Sequence, residues 1–121
     1  MISLVSVAVE RWPVAGAFNI SRGSKRHVDV VMCTVSDGRY TGKGEATAIY
    51  YHDETAEGCA AAIRSYCEAA HSGGLSRTAI QTDMPRGAAR NALDCALWDL
   101  EAKRAGAPVW QLAGLETPMP L

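Results

Sequence analysis

The run from Gly87 to Leu115, GAARNALDCALWDLEAKRAGAPVWQLAGL, limits the possible folds more than any other part of the chain. Its apolar residues recur at helical spacing. At about 3.6 residues per turn, Ala89, Leu93, Ala96, Leu97 and Leu100 share one face. The opposite face carries Asn91, Asp94 and Trp98, with Arg90 on its flank. Trp98 follows Asp94 by one turn, so the two side chains lie within reach of each other. An indole left in water forgoes roughly 2–3 kcal/mol of burial. The helix is therefore expected to be covered on two sides, by its own domain on one and by a further body on the other. Gly106 suits the C′ position that ends it, behind Lys103 and Arg104 in the last turn. Pro108 then suits the first turn of a short helix through Ala113, stopped by Gly114.

The first half of the chain has a different period. Val5, Val7 and Val9 alternate onto one side of a strand expected from about Ile2 to Trp12, with Pro13 ending it. Val14 to Arg26 has no clean period and is expected to be a loop, with room for a short extended piece at Phe18–Ile20. His27 to Ser36 is a β-branched strand. Asp37-Gly38 then signals a type I′ hairpin, in which both central residues have positive φ. Arg39 to Ala46 returns as the third strand; Gly42 and Gly44 weaken it as a strand but allow another backbone or a bulge to come close. After an aromatic turn, Ala46 to His52, either Asp53 or Thr55 caps a helix running to about Ala70. Ala56, Cys59, Ile63, Tyr66, Cys67 and Ala70 share its face, and His71-Ser72-Gly73-Gly74 ends it. A short helix is expected over Ser76–Thr82. The fold class that results is α+β: a three-stranded antiparallel meander followed by a small helical bundle.

At 121 residues the chain suffices for one domain with one core. A formal net charge of −1, with scattered basic residues, gives no push towards nucleic acid or an acidic membrane surface. No apolar run is long enough to span a bilayer, and the N-terminus has no signal-peptide pattern. Cys33, Cys59, Cys67 and Cys95 form no C-x-x-C pair and each sits in an apolar pattern, as expected of reduced core cysteines in a cytoplasmic protein. Alanine is abundant and Phe18 is the only phenylalanine. Small side chains bury little area each, so the core is expected to be thin and to lean on a partner surface.

The stretch ALDCALWDLEAKRAGAPVWQLAGL resembles the segment that closes the N-terminal capping domain of enolase-superfamily enzymes, in the mandelate-racemase and muconate-lactonizing branches. GAARNALDCALWDL and SRGSKRHVDVVMCTVSDG are most similar to the dipeptide epimerases. The resemblance implies that residues 1–115 are an enolase-like capping domain and that residues 116–121 begin the connection to a (β/α) barrel that these 121 residues do not include. For the full-length protein it implies an isomerase, an epimerase of L-Ala-D/L-Glu-like dipeptides working by α-proton abstraction. Its other partners would be a small carboxylate substrate and a second copy of itself, as a homo-oligomer. A proton α to a carboxylate is barely acidic, so a dication must hold the developing charge. In the family that dication is Mg²⁺, bound by the barrel and not by this chain. Lys25, Lys43 and Lys103 lie in no barrel-type strand-end motif, and no acidic cluster has the spacing of a hard-metal site, so neither a catalytic residue nor a metal ligand is expected here. A cycloisomerase or another racemase of the same superfamily, or a non-catalytic α+β interaction module, are the alternatives.

Two loops carry the candidate binding residues. Arg22, Lys25 and Arg26 place three cations within five residues, which suits an anionic ligand. In dipeptide epimerases the matching loop folds over the barrel mouth, and an arginine there meets the distal carboxylate of a substrate ending in glutamate. Arg22 coincides with that arginine, Ser24 lies beside it, and Lys25 replaces a second basic position, keeping the charge without the bidentate fork. Thr47 to His52 matches the second specificity loop by position. Ile49, Tyr50 and Tyr51 replace the prolines and glycine common in the family, which implies a changed substrate side chain. Asp94 and Asp99 are five apart on one helix, about 140° from each other, which rules out an acid/base dyad. Asp94 is expected to hydrogen-bond across a domain contact, and Asp99 to pair with Lys103.

Overall fold

The computed structural model describes residues 1–20, 23–70 and 73–120, with side chains described except at 17–20, 23–25 and 51. Strands β1 (Ser3–Ile20), β2 (Gly23–Ser36) and β3 (Thr41–Ala46) form an antiparallel sheet in the order β1-β2-β3. A 3₁₀ turn at Tyr50–His52 leads into α1 (Ala56–Ala69), α2 (Arg77–Asp83), α3 (Ala88–Ala105) and the short α4 (Val109–Leu112). The α+β meander-then-helices architecture is the one expected. No helix among the described residues is long and apolar enough to cross a membrane. His71 and Ser72, expected to end α1, lie outside the described residues.

The first strand departs from expectation in two places. Val5 does not point into the core. It falls at a register shift between Leu4 and Ser6 and is 61% exposed, while Ile2 and Leu4 pack against the core instead. An inserted residue of this kind reverses the side-chain alternation on either side of it. Nor does Pro13 end the strand. Pairing continues to Pro13↔His27, breaks, and resumes at Phe18↔Lys25 through Ile20↔Gly23. The expected loop Val14–Arg26 is therefore mostly a two-stranded ribbon. Proline is tolerated because β1 is an edge strand, and Gly16, with φ 76°, sits within the irregular stretch. β3 ends opposite Val31, so among the described residues the ribbon runs on with no third strand beside it.

The second hairpin forms where expected but with another turn. Ser36 pairs with Thr41, leaving four connecting residues. Gly38 has φ 95°, whereas Asp37 is not among the positive-φ residues. The Asp37 carboxylate instead accepts from the Arg39 and Tyr40 amides at 2.9 and 2.7 Å, as in an Asx turn. Those two N–H groups hold its carboxyl below the ordinary range.

The core lies between the sheet and the helices. β2 contributes Val31, Cys33 and Val35, α1 contributes Cys59, Ala60, Ile63 and Cys67, and α3 contributes Ala88, Ala92, Leu93, Ala96, Leu97 and Leu100. The inward residues of β3 are Gly42, Gly44 and Ala46. Here α3 lies almost against the strand. A methyl group at Gly42 would overlap the Ala96 carbonyl oxygen, and one at Gly44 the Ala92 carbonyl oxygen. Small residues on both surfaces thus substitute close backbone approach for side-chain volume. Burial pushes the Cys33 thiol up to about 12 and Cys67 to about 11, so both stay protonated. Cys95 is the correction to the four-core-cysteine expectation, because it is exposed.

Local capping explains the helix ends. Thr55 Oγ1 accepts from Gly58 N at 3.0 Å and Ser76 Oγ from Ala79 N at 3.2 Å. Gly106 (φ 65°) and Gly114 (φ 76°) adopt the left-handed conformation that ends α3 and follows α4.

The outer face of α3 finds a partner within the chain. The Arg77 guanidinium of α2 stacks 3.6 Å from the Trp98 ring centroid and pairs with Glu101 at 2.8 Å. Gln81 Nε2 donates to Asp94 Oδ1 at 3.0 Å, which ties Asp94 to α2. Burial raises the Asp94 carboxyl, against the lowering influence of Arg77, Arg90 and Gln81. The face expected to await a second body is thus partly closed by α2, with Trp98 half-buried. Trp98→Ala removes both the stacked cation and the packed indole. It is expected to lower unfolding free energy by about 2 kcal/mol with an unchanged denaturant slope, measured by urea titration.

Candidate substrate-facing site

Two expected loops converge at their roots. A cleft of about 560 Å³ lies between the start of the ribbon on β2 and the segment from β3 to α1. Arg26, His27 and Asp29 form one wall, and Thr47, Tyr50 and Glu54 the other. Arg11 and Asp29 are direct cross-strand neighbours joined by two hydrogen bonds, Nε–Oδ1 at 2.7 Å and NH2–Oδ2 at 3.0 Å. The Arg11 hydrogen bond holds the Asp29 carboxyl below its ordinary range. The pair is solvent-exposed, so it orders the ribbon's base more than it stabilises the fold.

The second wall is a tightly bonded loop. His52 N donates to Ile49 O at 3.0 Å, Asp53 N to Tyr50 O at 3.0 Å, and Glu54 N to Ile49 O at 3.2 Å. Asp53 takes φ 57° to close the turn. Glu54 then turns back. Its Oε1 accepts from Ile49 N at 3.0 Å and its Oε2 from Ala88 N at 2.7 Å, at the start of α3.

Of the candidate binding residues, Tyr50 lines the cleft and is 53% exposed, and Ile49 is half-buried at the start of the turn. Tyr51 is in the 3₁₀ turn, but its side chain lies outside those described. Ser24 and Lys25 belong to β2, opposite Asn19 and Phe18, and their side chains are likewise outside the description. Arg22 lies outside the described residues. Arg26, the member of that cluster whose side chain is described, lines the cleft. Glu54 was not legible as a site residue. Its one signal in the sequence is indirect: Gly87 precedes α3 and has no side chain with which to cap it.

Asp99 and Lys103 are engaged with each other and with β3. Lys103 Nζ donates to Asp99 Oδ2 and to Thr41 O, both at 2.9 Å, as expected for the first pair. Lys43 N also donates to Asp99 Oδ2 at 2.9 Å. Burial raises the Asp99 carboxyl, but Lys103 and the Lys43 amide outweigh it and hold the carboxyl below the ordinary range. Among the described residues no three His, Cys, Asp or Glu side chains converge on a possible cation site.

A meander extended by a ribbon, with helices packed on its strands, is the α+β arrangement of enolase N-terminal domains. Residues 2–114 match the family described as mandelate racemase / muconate lactonizing enzyme, N-terminal domain, and the chain belongs to that family. Among curated proteins it is 39% identical over 114 residues to L-Ala-D/L-Glu epimerase of Escherichia coli, a match covering 94% of this chain and 35% of that protein. Among solved structures it resembles an enolase family member from Agrobacterium tumefaciens with homology to dipeptide epimerases, determined with bound sodium and L-Ala-L-Glu and an ordered loop. That match has 44% identity and a TM-score of 0.88 and covers 100% of this chain and 36% of the other. A dipeptide epimerase from Methylococcus capsulatus, complexed with Mg and L-Arg-D-Lys, follows at 26% identity and TM-score 0.72, covering 93% of this chain and 34% of the other. The chain thus spans about a third of the length of the relatives it matches.

Proposed function

We propose that these residues are the substrate-reading cap of a Mg²⁺-dependent dipeptide epimerase, which inverts the carbon α to a carboxylate by removing and returning its proton. The observation that carries this reading is the meeting of the ribbon's base with Thr47, Ala48 and Tyr50 at one cleft. The likeness to proteins described with L-Ala-L-Glu and with L-Arg-D-Lys supports it. Residues 1–115 act as the cap and 116–121 lead towards a (β/α) barrel. That barrel holds the metal and the acid/base groups. The cap excludes water and orients the substrate. Arg22 takes the distal carboxylate of an Ala-Glu-like dipeptide, with Ser24 and Lys25 beside it, and Ile49, Tyr50 and Tyr51 meet a side chain. The enzyme works in the cytoplasm, where its thiols stay reduced, as a homo-oligomer with no nucleic-acid or membrane partner.

Arg22→Ala in the full-length enzyme tests the assignment. A charge-assisted contact to carboxylate is worth about 1.5–3 kcal/mol, so kcat/KM for L-Ala-L-Glu is expected to fall roughly 10- to 100-fold, mainly through KM. A dipeptide without a distal carboxylate should change less than about threefold on the same reasoning. Equal losses for both substrates would remove Arg22 from this role.

A further inference from the structure

We propose that Glu54 is a positioning residue for the substrate loop, one carboxylate clamping that loop onto the first turn of α3. The proposal rests on the reading of Ile49–Tyr51 as a substrate-facing segment. Each oxygen of the carboxylate serves a different element. Oε1 takes the Ile49 amide at the start of the loop, and Oε2 takes the Ala88 amide of α3. The Glu54 amide itself donates to Ile49 O, so the loop is closed from both sides of one residue. The first turn of a helix has amides with no partner inside the helix. Gly87, in the cap position of α3, offers no side chain to meet them. Glu54 supplies from a distant element what the local sequence lacks. Gly87 also has φ 152°, and a Cβ built there would come within 2.6 Å of Glu54 Oε2. The glycine is thus shaped to admit this carboxylate.

The same side chain forms part of the cleft wall beside Tyr50 and opposite Arg26. Its orientation therefore sets where the turn stands relative to the ribbon. Glutamine is not an equivalent. It has one acceptor oxygen, and its NH₂ group would face one of the two donor amides. Aspartate is one methylene too short to span both contacts.

The test uses the full-length enzyme and three variants: Glu54→Gln, Gly87→Ala and Tyr50→Ala. Gly87→Ala displaces the carboxylate without altering it and also strains the backbone at φ 152°, so its effect at Ile49, remote from that strain, is the one that guards against a defect peculiar to residue 54. Two readouts are taken: hydrogen exchange in peptides covering Ile49 and Ala88, and the ratio of kcat/KM between two dipeptides differing in one side chain. Glu54→Gln and Gly87→Ala are each expected to speed exchange at both segments about tenfold, the effect of one lost hydrogen bond, with the exchange of β2 unchanged. Both are expected to shift the substrate ratio about fivefold, in the direction of Tyr50→Ala and through KM, as misplacement of a binding wall does. Unchanged exchange at Ile49 and Ala88 overturns the clamp. Faster exchange with an unmoved ratio, while Tyr50→Ala moves it, overturns the positioning role alone. A ratio that none of the three variants moves overturns the substrate-loop reading and the positioning role with it.

Discussion

Gly44→Ala is expected to destabilise the domain by about 3 kcal/mol or more. Overpacking a tight core usually costs about 1–3 kcal/mol. Here the added methyl meets backbone rather than side chain: it overlaps the Ala92 carbonyl oxygen and stands 2.5 Å from the Ala96 amide nitrogen. A rotamer change cannot relieve that, so α3 must move away from β3 as a body. Such a shift opens the alanine-lined seam that provides much of the core. Since domains are stable by only about 5–15 kcal/mol, the loss is a large fraction of the total. Gly42→Ala should behave alike, because its methyl would overlap the Ala96 carbonyl oxygen and lie 2.6 Å from Leu100 N. Gly73→Ala is the control, having open space around it and no positive φ, and should change stability by less than about 0.5 kcal/mol. Urea midpoints measure all three. A Gly44→Ala midpoint equal to that of Gly73→Ala would mean that α3 and β3 are not in close contact.

Residues 1–121 alone are expected to exchange no α-proton of L-Ala-L-Glu with solvent deuterium in the presence of Mg²⁺. The expected effect is the loss of the entire rate enhancement, which for enzymes is at least about 10⁶-fold. Lys103 is bonded to Asp99 and Thr41, and the described acids nowhere gather around a cation site. Without a base near the α-carbon and a counter-charge for the enediolate, these residues have only binding to offer, and binding alone does not lower a barrier. Proton NMR in deuterated buffer follows the α-signal directly. Its disappearance faster than in a sample without protein would place a reactive group on this chain.

The end of the chain was legible because its signals are local. Gly106 and Gly114 mark left-handed positions, and Pro108 opens α4, whatever packs around them. The α3 stripe was legible for its large residues but not for Ala88 and Ala92, whose burial follows from the nearness of β3. The ribbon was hidden for a similar reason. One strand's sequence carries its alternation but not its pairing, and Pro13 and Gly16 look like terminators until β2 is seen beside them. Val5 misled because a single inserted residue exchanges the faces of its neighbours. The Arg77 guanidinium over Trp98 was not legible, because it comes from twenty-one positions away in the chain. Glu54 was missed because both its partners are backbone amides, which every residue has.

The free-standing ribbon has an evolutionary corollary. Among the described residues between Pro13 and Val28 no third strand constrains its length, so its reach is adjustable without disturbing the seam of glycines and alanines. Side chains alternate faces along each strand, so a change of one residue per strand would turn every later side chain to the wrong side. Descendants of this domain should therefore differ in ribbon length by even steps, two residues in each arm, while the rest of the sheet keeps its register.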